Sequence, residues 1–204
     1  MNLTEKMLID KKSCIYGIKR YKKAGSPDTI ETAVLLCLEK SRFIDANWLL
    51  TRIAFSKHQC FAYGINALEI MMLDFEQKIP GNYCIRNCIN ACKFFMAGAI
   101  CYKELQDASD AVLYSKRYML NHNSIEFYIK NRHPIFYPDR IIRIVMNPVI
   151  LMAEELMASY NVDNCKYKEF IYKQLDTILY SLTHYYIPGA KEKIINYGLT
   201  LIKE

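Results

Sequence analysis

The chain has 204 residues, 52% of them hydrophobic, with 7 Gly, 6 Pro and a formal net charge of +6. This is enough for one good-sized domain with a substantial core, and a mean hydropathy near zero excludes both a disordered and a membrane composition. The charge is local: residues 1–25 hold seven Lys or Arg against Glu5 and Asp10, while the remaining 179 carry 20 basic and 19 acidic groups.

The first predicted element is a helix over residues 4–23, ending at Gly25, which makes residues 1–25 a basic N-terminal helix ahead of a helical domain at 26–204. Ser26, Pro27 and Asp28 read as the next start: a capping hydroxyl, a proline for the first turn and an acid against the helix dipole. Ile30, Ala33, Val34, Cys37 and Leu38 then form an apolar stripe at helical spacing. Asp45 caps a short helix carrying Trp48, Leu49, Leu50 and Ile53. Ser56 and Gln59 have the form of a capping box. The helix they open is the clearest in the chain, with Phe61, Ile65, Leu68, Met72, Phe75 and Ile79 on one face, and Pro80-Gly81-Asn82 ends it.

Helices over 83–97 and 102–121 follow, separated at Gly98. Residues 121–139 are irregular around a short helix at 125–130. Pro138 starts a helix that Pro148 kinks or splits, residues 161–164 form a turn, a tyrosine-rich helix spans 167–186, and Pro188-Gly189 introduces a last helix at 190–203. No segment alternates as a strand does. The expected fold is an all-α, single-domain bundle of about eight to ten helices.

The most apolar stretch, 144–157, is broken by Asn147, Pro148 and two glutamates, so no membrane span is expected. The N-terminus carries Glu5, Lys6, Asp10, Lys11 and Lys12 in place of a signal-peptide core, which points to the cytoplasm and to reduced cysteines. The eight cysteines keep apolar company, Cys37 beside Leu36 and Leu38 and Cys60 beside Phe61, as small buried hydrophobes do. Cys84, Cys88 and Cys92 share one helix face; they pack against a neighbour or, with a fourth ligand such as Cys101 or His58, hold a metal, and their small size favours packing.

His58, His122, His133 and His184 fall in no metal or nucleophile spacing, and helix-end or turn positions account for His58 and His133. Glu154 and Glu155 point about 100° apart on a helix, so at most one faces inward. Glu69 suits an ion pair with Arg52 or Arg86. Asp107 and Asp110 lie one turn apart with nothing basic repeating beside them, and no glycine-rich phosphate loop is present. No catalytic, metal or cofactor set stands out, and the reading is of a protein that is not an enzyme.

Contact residues stand out more. Lys12, Tyr16, Lys19 and Lys23 recur at steps of four, three and four, with Arg20 and Lys22 beside them. Such a stripe can steer encounter with an acidic protein or grip a phosphate backbone. Lys130, Arg132, His133, Arg140 and Arg143 form a smaller basic cluster that extends it. Tyr160, Tyr167, Tyr172, Tyr180, Tyr185 and Tyr186 crowd the final third, where any left exposed would serve a partner or self-association into a homo-oligomer.

Three stretches carry a family resemblance: Asp45-Ala46-Asn47-Trp48-Leu49-Leu50-Thr51-Arg52 with the helix from Gln59 to Pro80, Arg86-Asn87-Cys88-Ile89-Asn90-Ala91-Cys92-Lys93, and Lys193-Ile194-Ile195-Asn196-Tyr197-Gly198-Leu199. Together they resemble the α-helical immunity-protein family of bacterial and phage accessory genes. The likeness covers about half the chain and is best at residues 45–95. It departs at Pro80-Gly81-Asn82-Tyr83, where the family is acidic, and over 100–187, where the family is alanine-rich. It implies a helical fold and a function as a non-enzymatic inhibitor that binds another protein, such as a nuclease, toxin or CRISPR-type complex, by occlusion. It supplies no catalytic residues. The alternative is a helical nucleic-acid-binding protein that uses the basic N-terminal stripe.

Overall fold

The structure, a computed structural model, describes residues 1–78, 83–121, 145–161, 176, 187 and 189–203. Its elements are α1 (Glu5–Asp10), α2 (Ile15–Lys23), α3 (Ile30–Glu39), α4 (Phe43–Leu49), a π-helical turn (Leu50–Ala54), α5 (Lys57–Lys78), α6 (Cys84–Met96), α7 (Tyr102–Asn121), α8 (Asn147–Asn161) and α9 (Ala190–Leu201). Among the described residues there is no strand, only an isolated bridge between Asn2 and Thr29. The all-α multi-helix bundle predicted from periodicity is the fold observed.

The architecture is centred on α5, and its first turn shows why the helix starts there. Ser56 Oγ accepts the Gln59 N–H at 3.3 Å and Gln59 Oε1 accepts the Ser56 N–H at 2.9 Å, a reciprocal capping box that satisfies two amide groups the helix leaves free. Gln59 also donates through Nε2 to the Leu201 carbonyl at 2.6 Å, tying the start of α5 to the end of α9. The predicted face is buried at Phe61, Ile65, Leu68 and Met72. A second row, Cys60, Tyr63, Ala67 and Met71, is buried as well. On one side α5 packs against α6 and α8, and on the other against α9. A helix covered on two sides reads in sequence as one stripe when its second row is made of small or polar-tipped residues such as Cys60, Tyr63 and Ala67.

α6, α7 and α8 pack on one another to complete that half of the bundle, with Cys88, Ile89, Leu105, Val112, Val149 and Ala153 buried in one continuous core. α6 ends where Gly98 takes φ +70 and its amide and that of Ala99 turn back to the Phe95 and Phe94 carbonyls at 3.0 and 2.8 Å. Val145 and Met146 are π-helical and run directly into α8 at Asn147, so Pro148 lies just after a change of helical pattern, while the start predicted at Pro138 lies outside the described residues. The other half is α3, α4 and α9. There Gly198 lets α9 approach closely: an added Cβ would lie 2.6 Å from Leu50 Cδ1 and 2.9 Å from Tyr63 Cε2.

Three expectations are corrected. Residues 4–23 form two helices, not one: Lys12 adopts φ +59, and the Lys12 and Ser13 amides donate back to the Ile9 and Leu8 carbonyls at 2.8 and 2.9 Å, closing α1. The third helix is capped by Thr29, whose Oγ1 accepts the Thr32 N–H at 3.2 Å, while Ser26 sits at φ +51 in the turn that ends α2. Asp45 lies in the first turn of α4 and its carboxylate is taken by Arg20, leaving no side-chain cap on that helix. Predicted elements at 80–82, 122–144, 162–175 and 177–186 lie outside the described residues.

Candidate functional site, a cationic apolar cavity beneath the N-terminal helices

The break at Lys12 changes what the basic segment does. Leu3 and Leu8 are buried in the common core, the Leu3 N–H reaches the Asp28 carbonyl at 2.7 Å, and the Ile30 N–H reaches the Met1 carbonyl at 3.2 Å. The turn is tight: Cys14 Sγ accepts the Gly17 N–H at 3.3 Å, and Ser13 Oγ lies 2.6 Å from where a Gly17 Cβ would be, so a larger residue there would require the serine side chain to turn away. α2 is thereby laid back over α3 and α4.

A cavity of about 400 Å³ lies between them. Each helix contributes one face at helical spacing: Gly17, Arg20, Tyr21 and Ala24 from α2; Ala33, Leu36, Cys37 and the C-capping Lys40 from α3; Ile44, Asp45, Trp48 and Leu49 from α4. Leu8, Lys12, Ser13, Cys14, Pro27 and Arg42 complete the wall. Trp48 is the single tryptophan of the chain. Burial, then the Asp45 carboxylate, pushes the Cys37 thiol up to about 11, so it stays protonated at neutral pH and acts as wall, not nucleophile.

The electrostatics of the wall are one-sided. Lys12, Arg20, Lys40 and Arg42 face the single carboxylate of Asp45. Arg20 NH2 donates to Asp45 Oδ1 at 2.8 Å, and its buried Nε has no acceptor. Among the described residues Lys12, Lys40 and Arg42 make no ion pair, whereas Lys22 is held by Glu5 at 2.8 Å.

The predicted contact residues therefore separate. Tyr16, Lys19 and Lys23 stay together on the outer face of α2, all exposed. Lys12 and Arg20 belong to the cavity, and Lys22 is tied to α1. Lys130, Arg132, Arg140 and Arg143 lie outside the described residues, as do His122, His133, His184 and the tyrosine cluster apart from the backbone of Tyr160. Sequence reasoning missed Lys40, Arg42 and Trp48 as partners of the basic helix. Their only linear signal is a basic pair at the end of α3 followed closely by the one tryptophan.

Other candidate chemistry resolves into packing and ion pairs. Cys88 and Cys92 are buried in the core and Cys84 is half-buried, all on the face of α6 that meets the bundle. Among the described residues no three His, Cys, Asp or Glu side chains converge as metal ligands. His58 is exposed in the first turn of α5. Glu69 contacts Lys93 Nζ at 2.5 Å and, more loosely, Arg86 at 3.8 Å, because Arg86 gives its two closest hydrogen bonds, 2.8 and 2.7 Å, to Glu76. The Arg86 guanidinium holds the Glu76 carboxyl below its ordinary value. Glu154 is exposed and Glu155 half-buried, as their spacing requires. Asp107 does gain a basic neighbour, Lys103 at 2.6 Å one turn before it.

Among the described residues Asn47, Thr51 and Ser109 are the buried polar side chains, and Asn47 anchors a network. Asn47, fully buried, donates through Nδ2 to Asp176 Oδ1 at 2.7 Å, and its main-chain carbonyl accepts from Thr51 Oγ1 at 2.8 Å. Burial raises the Asp176 carboxyl above its ordinary value, against the Asn47 hydrogen bond and the charge of Arg52.

Fold and site together define an all-α protein with a cationic, apolar-walled cavity and no helix among the described residues long and apolar enough to cross a membrane. The chain matches no protein-family model, no curated protein and no solved structure.

Proposed function

We propose that this chain acts by binding another protein through the face built from α1, α2, α3 and α4, as an inhibitor of the immunity or anti-defence type that blocks its target by occlusion. The observation that carries the reading is the concentration of unpaired cations beside exposed apolar side chains on that face. Among the described residues Lys12, Lys19, Lys23, Lys40 and Arg42 have no counter-ion, and Ile9, Ile15, Tyr16 and Ile44 are each about half exposed or more, 48–68%. A surface that mixes uncompensated charge with apolar anchors suits an acidic protein partner: the charge steers encounter, the anchors supply burial. The resemblance at residues 45–95 supports the same reading.

The test is capture of a partner from a bacterial lysate by the full chain, compared with its Lys19→Glu, Lys23→Glu double variant. A single stoichiometric partner, lost in the variant while the melting temperature holds, is the expected result. Retention on nucleic acid at low salt, abolished by the same two substitutions, would favour the nucleic-acid reading of the Tyr16, Lys19 and Lys23 stripe instead.

A further inference from the structure

We infer that the cavity beneath α2 is a binding site for a small amphipathic carboxylate, an aliphatic or aromatic acid whose apolar body fills the space and whose carboxylate meets the cationic mouth. The inference concerns a free small molecule; it shares Lys12, Lys40 and Arg42 with the proposed partner-binding face but not Lys19 and Lys23, so the two are tested by different variants. At about 400 Å³ the cavity falls within the roughly 300–1,000 Å³ range of small-ligand sites. Its walls are Leu8, Ala33, Leu36, Trp48 and Leu49, which an apolar body satisfies and a phosphorylated sugar or nucleotide does not.

Charge selects the head group. Four cations against one carboxylate leave the wall with a surplus of three, and three of those cations have, among the described residues, no ion pair to give up on binding. Arg20 is held in place by Asp45 with a terminal nitrogen to spare, so it presents a fixed donor and not a mobile one. A cationic or neutral amphiphile of the same length gains the apolar contact alone. A carboxylate gains both.

Trp48, in the wall and without another tryptophan in the chain, reports occupancy directly. The full chain is titrated with decanoate, decanol and decylamine below micelle-forming concentrations while Trp48 emission is followed. Decanoate is expected to give a saturable one-to-one response. Decanol and decylamine are expected to bind about tenfold more weakly or worse, the difference one charged hydrogen bond makes. The Lys40→Glu, Arg42→Glu double variant, altered only at exposed positions, should lose the decanoate response by a similar factor with an unchanged melting temperature. Ala24→Leu, which fills the cavity from α2, should lose it for all three amphiphiles. Equal responses to decanoate and decylamine, or an unaltered response in the charge-reversed variant, overturn the inference. So does silence to decanoate alongside a response to an acidic peptide ending in leucine, which would make the cavity a protein-docking pocket.

Discussion

Arg20 and Asp45, 25 positions apart, meet at 2.8 Å and so fasten the basic N-terminal segment to the helix that carries the only tryptophan. Both side chains are about one-third exposed, 37% and 31%, so the pair contributes at most about 1 kcal/mol to stability. Its larger effect is on charge. Asp45→Asn is expected to lower the melting temperature by no more than about 4 °C, and to tighten anion binding at the cavity, because the wall then carries no carboxylate. Thermal melts and a Trp48-detected decanoate titration at low and high salt check the two effects separately.

The capping box at the start of α5 joins a local signal to a distant contact. Ser56→Ala removes one cap bond and is expected to cost about 1 kcal/mol. Gln59→Ala should cost more, since it removes the other half of the box and the 2.6 Å bond to the Leu201 carbonyl. Gln59→Glu keeps the box but faces that carbonyl with an acceptor, so it too should destabilise. Urea denaturation of the three variants, with the double variant to measure coupling, decides the order.

Gly198, the one glycine of α9, faces Leu50, Phe55 and Tyr63 at close range. Gly198→Ala is expected to lose roughly 1–3 kcal/mol by overpacking, despite alanine's better helix propensity. A higher urea midpoint in that variant would refute the close contact.

Asp176 and Glu155 both have carboxyls raised above their ordinary values, chiefly by burial. The folded chain therefore holds these protons more tightly than the unfolded one. Their contribution to stability is fully present below the ordinary carboxylate values, 3.8 and 4.5, and is lost as pH rises through the raised folded values. Asp176→Asn should remove part of that loss, so its urea midpoint should fall less between about pH 4 and pH 7 than that of the unaltered chain. A parallel decline in both proteins would refute the assignment.

Thiol accessibility follows the fold. Cys14 and Cys101 are exposed, while Cys60, Cys88 and Cys92 are buried, and the Cys92 thiol is pushed far up by its hydrogen bond with Cys88 and by burial. Under native conditions a thiol reagent should label Cys14 and Cys101 within the first phase, and the three buried thiols only on denaturation, as mapped by peptide mass.

Much of the fold was legible because its signals are local. The Phe61, Ile65, Leu68 and Met72 row and the Ser56–Gln59 box depend on spacing within about three turns of one helix. What was missed also has a local physical reason. Lys12, Ser26 and Ser41 all adopt left-handed φ values, +59, +51 and +52, which glycine usually signals and these side chains do not. Without that signal at Lys12, two helices read as one, and a stripe drawn through Lys12, Tyr16, Lys19 and Lys23 looked continuous. Only its α2 portion, Tyr16, Lys19 and Lys23, remains a stripe.

Residue type and spacing alone thus determined that this chain is helical, where its central helix begins, and that its excess positive charge lies in the first 25 residues, because propensity, capping and net charge are properties of short stretches. The tertiary structure decided which of those charges are available. Folding α2 back along α1 and over α3 and α4 neutralises Lys22 with Glu5 of α1 and Arg20 with Asp45 of α4, and brings Lys12 to the same cavity wall as Lys40 and Arg42. No spacing rule encodes that meeting, since it rests on the direction in which one left-handed residue turns the chain.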